Sequence, residues 1–274
     1  MEAPSQARRK VRSRVQLTAI LSVKDIVKVF SNGSEVKAID DVSFDVDVNE
    51  FICIIGPSGC GKSTLLRIIA GLETTTSGQV FFRDQPITKP SPKVTMVFQT
   101  FGLLPWKTAM ENVELPMEVV GIDKAEAKIR AGRYLRMVGL GMFENAYPHD
   151  LSGGMRQRVG VARALALGPE VLLLDEPFSA LDELTAKSLR VLLLQIWGDP
   201  ALPTNNFVMV THNVEEAVMM ADRIIVMSAR PGRVVGELKV PLPRPRFEHL
   251  RDPLFFETVD KLMAMLSSNV EEQM

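Results

Sequence analysis

The segment GPSGCGKST, Gly56 to Thr64, puts three glycines, a lysine and two adjacent hydroxyls into nine residues. Gly56, Gly59 and Gly61 let backbone N–H groups approach phosphate oxygens without a Cβ in the way, and Pro57, Ser58 and Cys60 complete the turn. Lys62 supplies a point charge to the β- and γ-phosphates, Ser63 offers a hydroxyl to Mg²⁺, and Thr64 is placed to support a phosphate. That is binding chemistry for a nucleoside triphosphate. Hydrolytic chemistry sits further along, where four apolar residues in VLLLDEP deliver Asp175 and Glu176 to a strand end. Asp175 can hold Mg²⁺ directly or through water, and Glu176 is suited to polarising an attacking water. Gln99 closes KVTMVFQ and His212 closes NFVMVTH. An amide there can sense Mg²⁺ and the water, and an imidazole can hydrogen-bond the γ-phosphate. Each feature alone has a plainer reading, as surface carboxylates or satisfied polar groups; beside the phosphate loop that reading weakens.

A second glycine turn, LSGGMRQR from Leu151 to Arg158, repeats the phosphate chemistry. Ser152 would cap a helix, and Gly153 and Gly154 would expose N–H groups at its start. On its own such a turn is usually only a capped helix start. Here the first loop already wraps one nucleotide, so this turn would reach a γ-phosphate only on another molecule.

The elements that must position these residues follow from periodicity. FICIIG reads as a buried strand, followed by the phosphate loop and the helix KSTLLRIIAG, with Gly71 placed to end it. Residues 20–48 alternate apolar and polar around a turn at SNGS, the pattern of an antiparallel, half-exposed layer. QVFFRDQPI and KVTMVFQ supply further strands. From about residue 106 to 150 helical spacing takes over in ENVELPMEVVGI and KAEAKIRAGRYLRMVGL, and the LSGG helix continues it. Strand and helix then alternate through EVLLLDEPF, LTAKSLRVLLLQIW, NFVMVTH, VEEAVMMAD and RIIVMS. The expected class is α/β, a P-loop core with a mainly parallel sheet, an antiparallel β subdomain and an inserted helical subdomain. After the link PLPRPRF, a short helix LFFETVDKLMAMLSS is expected to cap the core with Phe255, Val259, Leu262 and Leu266.

Bulk composition narrows the class. The 274 residues are 46% apolar and 24% charged, enough for a substantial core, and the net charge of −1 gives no argument for nucleic-acid binding. No apolar run approaches the roughly 18–20 residues that span a bilayer, so a membrane role is expected to come through a partner. Arg8, Arg9, Lys10, Arg12 and Arg14 crowd the N-terminus, but LTAILSV is cut short by Lys24 and Asp25, which argues against a signal peptide. Residues 1–19 read as a mobile basic tail; the sharper reading is a brush against anionic lipid, at about 1 kcal/mol per basic residue. Cys53 and Cys60 form no metal or disulfide pattern and point to a reducing cytoplasm. Cys53 reads as inert core. Cys60 reads first as a filler residue of the phosphate loop; the sharper reading is a reactive thiol that blocks nucleotide binding when modified, since the helix N-terminus just after it could lower its pKa.

Taken in order, GPSGCGKST, VFQ, LSGGMRQR, VLLLDEP, SALD and the histidine of VMVTHN resemble the ATPase subunit of an ATP-binding cassette transporter, from about Leu21 to Pro241. The resemblance implies a cassette over residues 20–242, a helical subdomain at about 106–165 and an extension over 243–274. It implies a head-to-tail homodimer with two ATPs between the copies, each held by one chain's phosphate loop and the other's LSGG turn. Ser152, Gly153 and Gly154 would touch the opposing γ-phosphate, Asp182 of SALD would link the two sites, and Glu176 would be the general base. Phe30 falls where the family stacks an aromatic ring under adenine, with phenylalanine in place of the usual tyrosine. Asn213 departs from the acidic residue that commonly follows the histidine. A cassette without membrane helices resembles bacterial importer subunits, which work beside a separate permease and a solute-binding protein on the cytoplasmic face of the membrane. The segment TFGLLPWKTAMENV would line the permease groove, with Trp106 either exposed there or in the core. MENV and ADRIIVMSARPGRV look most like nitrate, sulfonate and taurine importers. The competing expectation is a cassette ATPase uncoupled from transport.

Overall fold

The computed structural model describes residues 19–31, 33 and 35–271; the basic cluster from Arg8 to Arg14 lies outside them. β1 (Ala19–Ser31) and β2 (Glu35–Asp47) pair antiparallel, and Val42, Phe44 and Val46 of β2 face inward while the residues between them face solvent. β3 (Phe51–Ile55) is buried throughout and feeds α1 (Lys62–Ile69), which Gly71 closes at φ 71°. β4 (Ser77–Phe82) and β5 (Gln85–Pro86) complete a four-stranded sheet in the order β2-β1-β4-β5.

The second sheet runs β10-β9-β3-β8-β7-β6. Its members are β6 (Val94–Val97), β7 (Val171–Asp175), β8 (Asn206–Thr211), β9 (Arg223–Met227) and β10 (Val234–Lys239), together with β3. All neighbours are parallel except β10, which pairs antiparallel with β9. β10 carries little strand signal in sequence, because the alternation in VVGELK is broken by Gly236 and short of bulky residues. Helices α2 (Ala109–Val119), α3 (Lys124–Met137) and α4 (Gly153–Leu165) occupy the stretch between β6 and β7. α5 (Glu183–Trp197), α6 (Val214–Met220) and α7 (Pro253–Glu271) complete the chain. The last is longer than the short helix expected, and Phe255, Val259, Leu262 and Leu266 do pack against the core.

The parallel sheet divides the core in two, and the period-2 pleat of each strand serves both halves. Phe51, Cys53 and Ile55 of β3 join the helices, whereas Ile52 and Ile54 face the antiparallel sheet and α1. Phe207 and Met209 of β8 take the first side, Val208 and Val210 the second.

One backbone staple joins the two sheets. Asp40 N–H donates to the Gly232 carbonyl and Gly232 N–H to the Ala38 carbonyl, both at 3.0 Å. A Cβ on Gly232 would lie 2.1 Å from the Cys60 carbonyl oxygen, so only glycine lets the β9–β10 loop lie this close to the phosphate loop.

Candidate active site

Between β3 and α1 the phosphate loop is held by its surroundings. Gly59 and Gly61 adopt φ 77° and 102°, the left-handed region that glycine enters without strain. Lys62 is buried, and its Nζ donates to the carbonyls of Gly56 at 2.7 Å and Pro57 at 2.9 Å, which draws the ammonium across the loop. Arg230, from the loop before β10, donates Nε–H to the Gly59 carbonyl at 3.3 Å. Ser58 is exposed, and Ser63 and Thr64 are half-buried in the first turn of α1. Cys60 fits the filler reading and not the reactive one: it is fully buried, and burial pushes its thiol pKa up despite nearby Lys62. Desolvation of the thiolate outweighs the helix start and the ammonium. Burial likewise pushes up the Cys53 thiol, as expected for an inert core cysteine. Phe30 lies near the end of β1, half-buried, with Lys28 Nζ 4.8 Å from its ring centre. The ring packs against the cluster that holds Cys60 and Leu65, on the phosphate loop's side of the hairpin.

The carboxylate pair meets the loop from the end of β7. Asp175 is buried and its Oδ1 accepts from Ser63 Oγ at 2.7 Å; burial raises its pKa against the pull of that hydrogen bond. A hydroxyl facing a carboxylate fits Mg²⁺, which takes few protein ligands and completes its shell with phosphate and water. The described residues include no group of three or more His, Cys, Asp or Glu able to hold a metal by themselves. Glu176, the next residue, sits at φ 44°, a conformation that costs a non-glycine residue about 1–3 kcal/mol and recurs at functional sites. Its N–H donates to the Val210 carbonyl at 3.1 Å, which ties the kink to β8.

Three strand ends converge on one oxygen. Glu176 Oε2 accepts from Gln99 Nε2 at 3.1 Å and lies 3.4 Å from His212 Nδ1. Gln99 follows β6, Glu176 follows β7 and His212 follows β8, so neighbouring parallel strands set them side by side. Ser179 Oγ lies 3.5 Å from the same amide nitrogen. The His212 side chain is 61% exposed and that of Glu176 only 19%, so the carboxylate is recessed while the imidazole faces outward.

The LSGG turn is built elsewhere. Ser152 caps α4 by accepting from Met155 N–H at 3.2 Å, as read from the sequence. A Cβ on Gly154 would stand 2.1 Å from Thr185 Cγ2, so the turn packs on the start of α5. Asp182 caps α5 through Thr185 N–H at 3.1 Å, and hydrogen bonding from the Thr185 side chain, with that N–H, holds its carboxyl below the usual range. Asn213, the departure from the acidic residue, still caps α6 through Glu216 N–H at 3.1 Å and leaves His212 in place.

Two supporting residues escaped the sequence reading. Asn112 is fully buried and accepts from Leu104 N–H while donating to the Leu104, Lys107 and Thr108 carbonyls, pinning the segment after Gln99 to α2. Arg163 of α4 donates to the Phe101 and Gly102 carbonyls at 2.7 and 2.6 Å, joining the LSGG helix to the same segment. The polar MENV and the arginine of VARAL were visible, but nothing in their spacing marked them. Trp106 lies at the surface and not in the core, 71% exposed.

Known proteins share this arrangement. The family described as ABC transporter matches residues 39–179. A nitrate import ATP-binding protein of Synechocystis sp. is 41% identical, over 92% of this chain and 97% of its own. A taurine import ATP-binding protein of Rhizobium johnstonii is 42% identical, over 86% of this chain and 91% of its own. Among solved structures, a dimeric post-hydrolysis ATP-binding cassette bound to ADP and Pi superposes with a TM-score of 0.71 at 34% identity, covering 81% of this chain and 100% of that one. With the phosphate loop, the carboxylate pair and the LSGG turn on one cassette fold, the chain belongs to the ABC transporter family as an ATP-binding subunit and is an ATPase.

Proposed function

We propose that this chain drives an importer for a small anionic solute such as nitrate, a sulfonate or taurine. Two copies would close head to tail around two ATPs and act on a separate permease, with a solute-binding protein delivering the cargo. The observation that carries the hydrolytic reading is the convergence of Gln99, Glu176 and His212 beside the Ser63–Asp175 pair. Gly56 to Thr64 hold the triphosphate, Lys62 neutralises its β- and γ-oxygens, and Phe30 stacks on the base. Ser63, Asp175 and Gln99 are the residues that would hold Mg²⁺, which when bound spreads charge on the phosphates. Glu176 takes a proton from water as the water oxygen bonds to the γ-phosphorus; the bond to the β-bridging oxygen breaks, leaving ADP and phosphate. His212 hydrogen-bonds a γ-oxygen and keeps that group in line. Asp182 and Ser152–Gly154 complete the site on the second copy.

The cassette reading assigns residues 20–242 to the motor, about 106–165 to its helical subdomain and 243–274 to an extension. Permease docking is supported by an apolar cavity of about 520 Å³ between α2 and the parallel sheet, lined by Leu72, Phe98, Leu115, Val119 and Val120 among others. Val119 is 77% exposed at its edge, an open apolar surface that suits a partner helix. No helix among the described residues is long and apolar enough to cross a membrane, so the chain would sit peripherally on the permease's cytoplasmic side. Relatives with near-equal identity are named for nitrate and for taurine, which is why cargo choice is assigned to the partners.

Mixing Lys62→Ala chains with Ser152→Arg chains tests the composite site. Random pairing leaves one intact site in half of the dimers, so activity should return to roughly a quarter of wild type. If the LSGG turn served its own chain's nucleotide, no mixture would recover. Co-purification with a membrane permease separates the transport reading from an uncoupled ATPase.

A further inference from the structure

A buried guanidinium lies behind the hydrolytic residues. Arg190 stands on α5 two turns beyond Asp182, its side chain only 7% exposed. Its Nη2 donates to Glu183 Oε1 at 2.5 Å, Nη1 lies 4.0 Å from Glu216 Oε1, and its guanidinium carbon stands 5.7 Å from the centre of the Phe178 ring. Each partner belongs to a different functional segment. Phe178 is two residues after Glu176, Glu183 follows Asp182, and Glu216 lies in the first turn of α6, just beyond His212.

The Glu216 arm continues to the strand end. Glu216 Oε2 accepts from Thr211 Oγ1 at 2.9 Å, and that hydroxyl accepts from Asn213 N–H at 3.1 Å. Thr211 and Asn213 flank His212, so the backbone on both sides of the imidazole is fixed by one carboxylate that faces Arg190. The two acids differ in exposure: Glu216 is 12% exposed and Glu183 is 81% exposed. Glu216 is therefore the permanent anchor, and Glu183 is the arm that solvent can compete for, at the end of α5 capped by Asp182.

Stability alone is a poor reason for this arginine. Burying a guanidinium carries a desolvation penalty that an apolar residue of similar size would avoid. Arg190 Nε is buried without a hydrogen-bond partner among the described residues, so part of that penalty stands uncompensated. A charge held on these terms, touching three functional segments together, is better explained by geometry.

We propose that Arg190 is a positioning residue for ATP hydrolysis, holding His212 and Asp182 in register with Glu176 through Glu216, Glu183 and Phe178. This rests on the proposed roles of Glu176 and His212.

Steady-state hydrolysis by the full-length chain tests it. Arg190→Lys keeps the charge but loses the planar fork. Its kcat is expected to fall about 10–100-fold with KM for ATP nearly unchanged, since the phosphate loop is untouched. Arg190→Met combined with Glu216→Gln removes both buried charges; melting temperature should recover relative to Arg190→Met alone while kcat stays low. Recovery of kcat along with stability would reduce Arg190 to a structural residue. Should either buried change prevent folding, Glu183→Gln at the exposed arm is expected to lower kcat several-fold, and a wild-type rate there would also overturn the proposal. Glu176→Gln is run in parallel. If it is inactive while Arg190→Lys is fully active, the positioning role fails alone; if it retains turnover, the base assignment fails and the positioning role with it.

Discussion

Replacing Gly154 with alanine sets two terms against each other, and the structure gives their signs. The new Cβ would stand 2.1 Å from Thr185 Cγ2, 3.5 Å from Thr185 Cβ and 3.8 Å from its Oγ1. Carbon atoms rest at about 3.5–4.0 Å, so the Cγ2 contact is short by roughly 1.5 Å while the other two are ordinary. Thr185 is β-branched and stiff, and its N–H is bound to the Asp182 cap, so the overlap cannot be relieved by a small rotation. Overpacking of this kind costs about 1–3 kcal/mol. Alanine in a helix returns at most about 1 kcal/mol over glycine. The net loss should appear as a fall in melting temperature of several degrees, at about 2–4 °C per kcal/mol for a domain of this size. Thr185→Ser removes Cγ2 and keeps the backbone cap. In that background the overlap is gone, and Gly154→Ala should become neutral or stabilising. Differential scanning calorimetry of the four proteins measures the cycle. If Gly154→Ala costs the same with serine as with threonine, the Gly154–Thr185 contact does not set the glycine requirement. ATPase activity gives a separate reading: if Gly154 also meets the second copy's γ-phosphate, the double variant regains stability without regaining full turnover.

Three further outcomes are expected. Asp175→Asn should raise the melting temperature of the nucleotide-free protein at neutral pH while abolishing hydrolysis. Burial raises the folded-state pKa of Asp175 above its ordinary value of 3.8, so its ionisation weighs against the fold above that folded pKa. The gain should therefore shrink to nothing as pH falls below about 4, checked by melts across pH. Asn112→Ala leaves buried backbone groups of the segment after Gln99 without partners, and should cost about 1–3 kcal/mol by urea titration and lower kcat as that segment loosens. Both thiols should resist a thiol-specific dye at pH 8 in the folded protein and react fully in guanidinium, since Cys53 and Cys60 are buried and their thiols are shifted upward.

The legible features were those whose chemistry lies in consecutive residues. The phosphate loop, the carboxylate pair and the LSGG cap are local, and short-range geometry fixes them wherever the chain goes. Gln99 and His212 were legible at one remove, because each closes an apolar run and parallel strands bring such ends to one edge. What stayed hidden depends on packing across the chain. Thr185 against Gly154, Arg163 on the Gln99 segment and Arg190 on Glu216 join residues 26 to 62 positions apart that only the assembled fold sets together. The direction of the Cys60 pKa shift was hidden for the same reason: a helix start can be read from sequence, but the burial that outweighs it belongs to the assembled fold, where the Gly232 loop lies against the turn.

That Gly232 staple also bears on which ligands the chain can tell apart. The sheet bearing Phe30 and the sheet bearing the phosphate loop are tied by backbone at the point where the loop turns, so neither can slide to suit a different guest. With Phe30 on the base and the loop on the phosphates, as proposed, a nucleotide would be gauged between two fixed jaws, ring at one end and terminal phosphate at the other. A gauge rejects by length before it rejects by identity: losing one phosphate empties a jaw, whereas exchanging one purine for another changes little that a stacked ring can feel. Selectivity for triphosphate over diphosphate is then expected to be steep, and selectivity between adenine and guanine shallow.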